Sequence, residues 1–106
     1  MADDKVEQLK QLIEDDPSDS VLHYGLGAEL LRRKDYPAAA HALRKALELK
    51  PDYSAAYREL GKAMERLNMR DEAVDFYKMG LAVAQQNGDL QTAREIEVFL
   101  KRLGGA

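Results

Sequence analysis

Three groups of side chains in this sequence could do chemistry: His23 and His41, the acidic run EDDPSDS at 14–20, and the cations Arg58, Lys62 and Arg66. The histidines fall on different expected helices, and neither has a serine or carboxylate at a diagnostic spacing. No HExxH motif or Cys/His cluster is present to gather a metal ion. The expectation is that His23 packs between helices and His41 stays in solvent. The Gly-Leu-Gly at 25–27 sits in mid-helix and cannot cradle a phosphate. The acidic run lacks the alternating Asp/Asn ligands, central glycine and terminal glutamate of a calcium loop, so helix capping and solubility account for it. These residue types point away from catalysis. No enzyme activity, cofactor or metal is expected.

Arg58, Lys62 and Arg66 are spaced i, i+4, i+8, which drifts only about 80° around a helix and makes a basic stripe. Such a stripe suits carboxylates of a partner peptide. The plainer reading is that Lys62 pairs with Glu59 or Glu65 and the arginines are solvated.

The elements that carry these residues follow from composition and period. At 106 residues, with 45% apolar and 7% aromatic residues, the chain can build one core. Abundant Ala and Leu, without Trp or Cys, favour packed helices over a sandwich and exclude disulfides and thiol chemistry. Seven acids against two lysines give residues 1–19 a net charge of −5, so the rest carries +2 of the overall −3. That surplus is too thin for a nucleic-acid face. No long apolar run and no leader-like start are present, so neither a membrane nor export is expected, and the cytoplasm is the expected compartment.

SVLHYGLGAELLRRKDYPAAAHALRKALELKPDY (20–53) lies over SAAYRELGKAMERLNMRDEAVDFYKMGLAVAQQN (54–87) without a gap, at an offset of 34 residues. Ser20 meets Ser54, Leu26–Gly27 meets Leu60–Gly61, Arg32 meets Arg66, Ala39 meets Ala73 and Ala46 meets Gly80. Each unit reads as two helices. Ser20 and Ser54 are the expected N-caps of the first helices. Asp35 with Pro37, and Asn68 with Asp71 and Glu72, mark the breaks between helices. Pro51 closes the first unit. Gly27, Gly61 and Gly80 should let backbones approach where Leu43, Tyr57 or Tyr77 fills the opposing hollow.

Leu-Gly after an aromatic, Ala at the second helix start, a small residue further along that helix and Pro-Asp at the end resemble the tetratricopeptide repeat. The departures are His23 for a bulky residue, Gly80 for Ala and Gln85 for the closing Pro. The resemblance implies an all-α, right-handed α-α superhelix of about six helices. Residues 1–19 would form an acidic half-repeat helix, since Pro17 precedes Pro51 by 34 residues. Repeats 20–53 and 54–87 would follow, then a capping helix at 88–106 with Leu90, Ile96, Phe99, Leu100 and Leu103 on its apolar side.

The first helix of each repeat lines the concave groove in this family. The resemblance therefore implies groove positions Val21, Tyr24, Ala28, Leu31, Arg32, Ala55, Arg58, Lys62, Glu65 and Arg66, with Thr92, Ile96 and Phe99 added by the capping helix. The implied function is non-enzymatic binding of a protein or peptide, with acidic residues meeting the stripe, by an adaptor or assembly factor. Co-chaperones of the family grip a C-terminal carboxylate with Lys and Asn on this helix. Tyr24 and Ala28 stand there instead, which disfavours the tails of Hsp70 or Hsp90. Two alternatives remain. A second copy of the chain is one partner, through Leu9, Leu12 and Ile13 or through the acidic start, although packing of that segment in cis is expected. An RNA-binding helical repeat is the other, against which the period and the acidic balance argue.

Overall fold

The computed structural model describes residues 4–104, and these form six α-helices with no strand among them. They are α1 (Lys5–Asp15), α2 (Ser20–Arg32), α3 (Tyr36–Leu49), α4 (Ser54–Arg66), α5 (Arg70–Asn87) and α6 (Leu90–Leu103). Each helix packs on the next. In addition α2 touches α4 and α4 touches α6, whereas α3 and α5 stand apart. The first helices of successive pairs thus line one face and the second helices splay on the other, giving a body 43 × 28 × 19 Å across.

The glycines explain the tight pairing. A Cβ on Gly27 would lie 2.5 Å from Leu43 Cγ, one on Gly61 would strike the Tyr77 ring, and one on Gly80 would meet Tyr57 Cβ at 2.6 Å. Helix axes come this close only without those methyl groups. Leu43, Leu60, Tyr77 and Ile96 are the fully buried side chains that fill the hollows.

The capping expectation needs correction. Asp19, not Ser20, caps α2 by accepting from the Val21 amide at 2.9 Å. A carboxylate accepts as well as a hydroxyl and favours the positive helix end more strongly, so the boundary moves one residue upstream. Ser54 is likewise inside α4, whose N-cap Tyr53 makes no side-chain bond. Its hydroxyl instead donates to Asp89 at 2.6 Å, and Asp89 caps α6 through the Thr92 amide. Asp35 caps α3, with Pro37 in its first turn, as expected. Asn68 takes the left-handed turn (φ 62°), and so does Lys34 (φ 68°), which carries no sequence mark for it.

Helix α1 packs in cis on α2, with Val6 buried, and Asp4 reaches Arg33 at 2.9 Å. In the acidic run, Asp16 accepts from the Ser18 hydroxyl at 3.2 Å and Asp19 is the cap just described. Among the described residues no helix is long and apolar enough to cross a membrane.

Candidate functional site

A groove of about 760 Å³ opens along the face built by α2, α4 and α6. Helix α2 contributes Ala28, Leu31 and Arg32, the turn after it Lys34, and the start of α3 Tyr36. Helix α4 contributes Glu59, Lys62, Glu65 and Arg66, and α6 contributes Phe99 and Arg102. Helical spacing puts these residues on one side of each helix, because positions three and four apart share a face. Five cations against two carboxylates leave the lining at +3 in a chain whose total is −3.

The cations are not equivalent. Arg58 is withdrawn from the groove wall, with a side chain only 17% exposed. Its Nε donates to Glu59 Oε2 at 2.7 Å. Its Nη1 donates to Glu95 Oε1 at 2.7 Å and to Thr92 Oγ1 at 3.3 Å. Its Nη2 donates to the Tyr24 hydroxyl at 3.2 Å. One guanidinium therefore joins α2, α4 and α6. Burial works against its charge, yet the hydrogen bond it donates to Glu59 and the charges around it outweigh burial and hold the guanidinium above its usual range. Tyr24 also stacks on Tyr53 at 4.9 Å between centroids. Burial, then the Glu59 charge, push its phenol up.

Lys62 lies 3.3 Å from Glu59 and 5.5 Å from the Phe99 centroid. Arg102 pairs with Glu65 at 3.0 Å and also faces Phe99. Glu65 accepts a further bond from the Tyr77 hydroxyl beneath the groove floor. Arg32 is bound at 2.5 Å to Glu29, a carboxylate also held by Arg33 at 2.9 Å. The hydrogen bonds from Arg32 and then Arg33 bring the Glu29 pKa down to about 2. Arg66 and Lys34 make no ion pair among the described residues, and Arg66 is exposed.

Of the residues expected at the groove, Ala28, Leu31, Arg32, Lys62, Glu65, Arg66 and Phe99 come together there. Tyr24, Arg58 and Thr92 form the network at its end. Val21 is 60% exposed outside the lining, Ala55 is half-buried outside it, and Ile96 is fully buried in the core beside Gly80. Ile96 cannot contact a ligand because its side chain fills the hollow between α5 and α6. Lys34, Tyr36, Glu59 and Arg102 were not foreseen. Arg102 had a signal: Arg32 and Arg66 close α2 and α4, and Arg102 stands one residue before the end of α6.

His23 is buried, with Nε2 2.9 Å from the Pro17 carbonyl, and His41 is exposed on α3. Among the described residues no three metal-ligating side chains converge.

A stack of paired helices with its first helices lining a concave face defines an α-helical repeat protein. Residues 30–95 match the tetratricopeptide repeat family, and the chain belongs to that family. It is 34% identical to TPR repeat-containing protein PA0015 of Pseudomonas aeruginosa, across 95% of this chain and 96% of that one. It is 35% identical over 85 residues to the protein STIP1 homolog of Dictyostelium discoideum, of which it spans 15%. Among solved structures, protein BPP2914 from Bordetella parapertussis superposes with a TM-score of 0.84 at 34% identity, over 95% of this chain and 88% of that one. The TPR2B domain of yeast Sti1, solved as a complex with pHsp70, superposes with a TM-score of 0.88 over 93% of this chain and 79% of that one. Its 20% identity makes this a likeness of fold alone.

Proposed function

We propose that the chain is a non-enzymatic interaction module of the cytoplasm, built as two full repeats, 20–53 and 54–87, between half-repeat helices. It holds an acidic peptide segment of a partner protein in the concave groove. The observation that carries this reading is the +3 lining in a net-acidic chain, with Arg66 and Lys34 unpaired at the groove wall. Leu31, Tyr36 and Phe99 supply apolar ground between these cations, so a peptide alternating carboxylates with an apolar side chain fits the lining. Lys62 and Arg66 meet the peptide, while Arg58 holds the helices that form the site. Tyr24 and Ala28 stand where chaperone-tail binders of the family carry Lys and Asn, so the proposed occupant is an internal acidic segment and not such a tail.

The test is fluorescence anisotropy with a labelled probe peptide of about ten residues alternating Glu and Leu. Lys62→Glu/Arg66→Glu should weaken binding by about tenfold or more and leave circular dichroism unchanged. Equal affinity of the variant and the wild type for this probe would sink the groove reading.

A further inference from the structure

The two ends of the array, α1 and α6, are unlike each other in charge. The left-handed residues Lys34 and Asn68 stand two residues past α2 and α4, and Gly104 (φ 72°) directly follows α6. Helix α6 takes the place of a first helix, since it packs on α4 as α4 packs on α2. At the other end, Lys10 and Ile13 stand 68 residues, two repeat lengths, before Lys78 and Leu81 of α5. Helix α1 takes the place of a second helix.

Beside α6, on the face turned away from the groove, lies a trough of about 570 Å³ walled by Leu81, Val98 and Leu100 and rimmed by Lys78, Arg94 and Lys101, with Glu97 the one carboxylate among them. Val98 is 62% exposed, and Arg94 and Lys101 stand four residues before and three after it, on its side of the helix. None of the three rim cations makes an ion pair among the described residues. On α1, Leu12 is 49% exposed, with Asp15 three residues after it on the same side and Asp16 just past the helix end. Neither aspartate has a cationic partner among the described residues, although Asp16 accepts from Ser18. One end offers an apolar side chain among three cations and one carboxylate, a surplus of +2, and the other an apolar side chain followed by two carboxylates.

We propose that these ends meet: α1 of one copy lies in the α5–α6 trough of a second copy, and the chain self-associates head to tail. Leu12 enters the trough beside Val98 and Leu81, and Asp15 and Asp16 face Arg94, Lys101 and Lys78. The contact is heterologous, because the two surfaces differ, so it propagates from copy to copy and does not stop at a two-fold pair. It is also shallow. Aligning Asn68 with Gly104 puts Glu97 at the register of Gly61, so an incoming helix cannot seat on α6 as deeply as α5 seats on α4. One helix in one trough buries less than the roughly 1,200 Å² of a stable interface, so association is weak and falls with salt. The groove takes no part in it.

Sedimentation velocity of the full chain, from about 10 µM to about 1 mM at low salt, tests the proposal. The weight-average mass should rise steadily from the 11.9 kDa monomer without a plateau at two copies, and fall back at high salt. Lys78→Glu/Arg94→Glu/Lys101→Glu and, separately, Leu12→Arg/Asp15→Arg alter exposed residues only, and each should remain monomeric with unchanged circular dichroism. An equal mixture of the two should associate again, because the intact α1 of the first meets the intact trough of the second. A wild type that stays at monomer mass throughout would overturn the proposal. So would a plateau at two copies, association undiminished in either variant, or a mixture that stays monomeric.

Discussion

Alanine at Gly61 is the sharpest probe of how this array is packed. A Cβ there would lie 2.5 Å from Tyr77 Cδ1 and 2.8 Å from Cζ, so the added methyl group meets the ring itself. The ring is fully buried, packs 5.4 Å from Phe99 between centroids, and is held at its hydroxyl by Glu65. It has no open side to move into. Overpacking of this kind costs about 1–3 kcal/mol, and a rigid ring places it at the upper end. Replacing helical glycine by alanine returns about 1 kcal/mol. The net is a loss of about 2 kcal/mol, or about 8–16 °C in Tm for a domain of this size. Gly25→Ala is the matched control, because its Cβ would rest 3.5 Å from Leu9 Cδ2, an ordinary contact, and should gain about 1 kcal/mol. Urea unfolding followed by far-ultraviolet circular dichroism should separate the two variants by about 3 kcal/mol. Tyr77→Leu added to Gly61→Ala should cost less than the two single changes together, since the clash disappears with the ring. A Gly61→Ala protein within about 0.5 kcal/mol of wild type would refute the close-approach argument.

Arg58→Ala should destabilise by about 3 kcal/mol in the same assay, because it leaves the buried Glu59 with Lys62 alone and unties three helices; Arg66→Ala should stay within about 0.5 kcal/mol. Glu29 is held at a pKa of about 2 against an ordinary 4.5, and Asp89 is lowered by the Ser54 hydroxyl and then by Thr92. Both contributions are present above the ordinary carboxylate range and are lost as pH falls below it, that of Glu29 as pH nears about 2, so an acid titration of stability should be shallower below pH 4.5 in Glu29→Gln. Burial, then the bond to Glu65, raise the Tyr77 phenol, so its contribution persists through neutral pH and is lost only as pH rises beyond the ordinary value of 10. Tyr77→Phe should cost about 1 kcal/mol at neutral pH, read by urea unfolding.

The fold was legible because its determinants are local or periodic. Leu43 and Tyr77 sit 34 residues apart and each fills the space over a glycine 16 positions upstream, a relation visible in the sequence before any contact is known. The caps were less legible. Both Asp19 and Ser20 can accept an amide, and which one does depends on where α1 delivers the chain. Ser54 reads as a cap by type, but its hydroxyl goes to Asp89, 35 residues away, because α6 brings a charged acceptor beside it. Lys34 adopts a left-handed turn only because α3 must fold back on α2, and nothing in a lysine signals that.

The groove shows the same division between what spacing fixes and what packing decides. Spacing alone places Arg58, Lys62 and Arg66 on one stripe and makes them look equivalent. Their partners separate them. Glu59 is one residue from Arg58 and three from Lys62, and it draws on both; Glu95 is 37 residues from Arg58 and reaches it only because α6 lies against α4. Arg58 is thereby spent on holding three helices together, and Lys62 is half committed. Arg66, at the end of α4 where no acid of α6 comes within reach, keeps its charge for the open groove. A cation near the middle of such an array meets helices on both sides and is neutralised by them, whereas one at a helix end faces the turn and solvent. The unpaired positive charge of this face therefore lies at the ends of the first helices, where Arg66 and Lys34 stand, more than at the centre of the stripe.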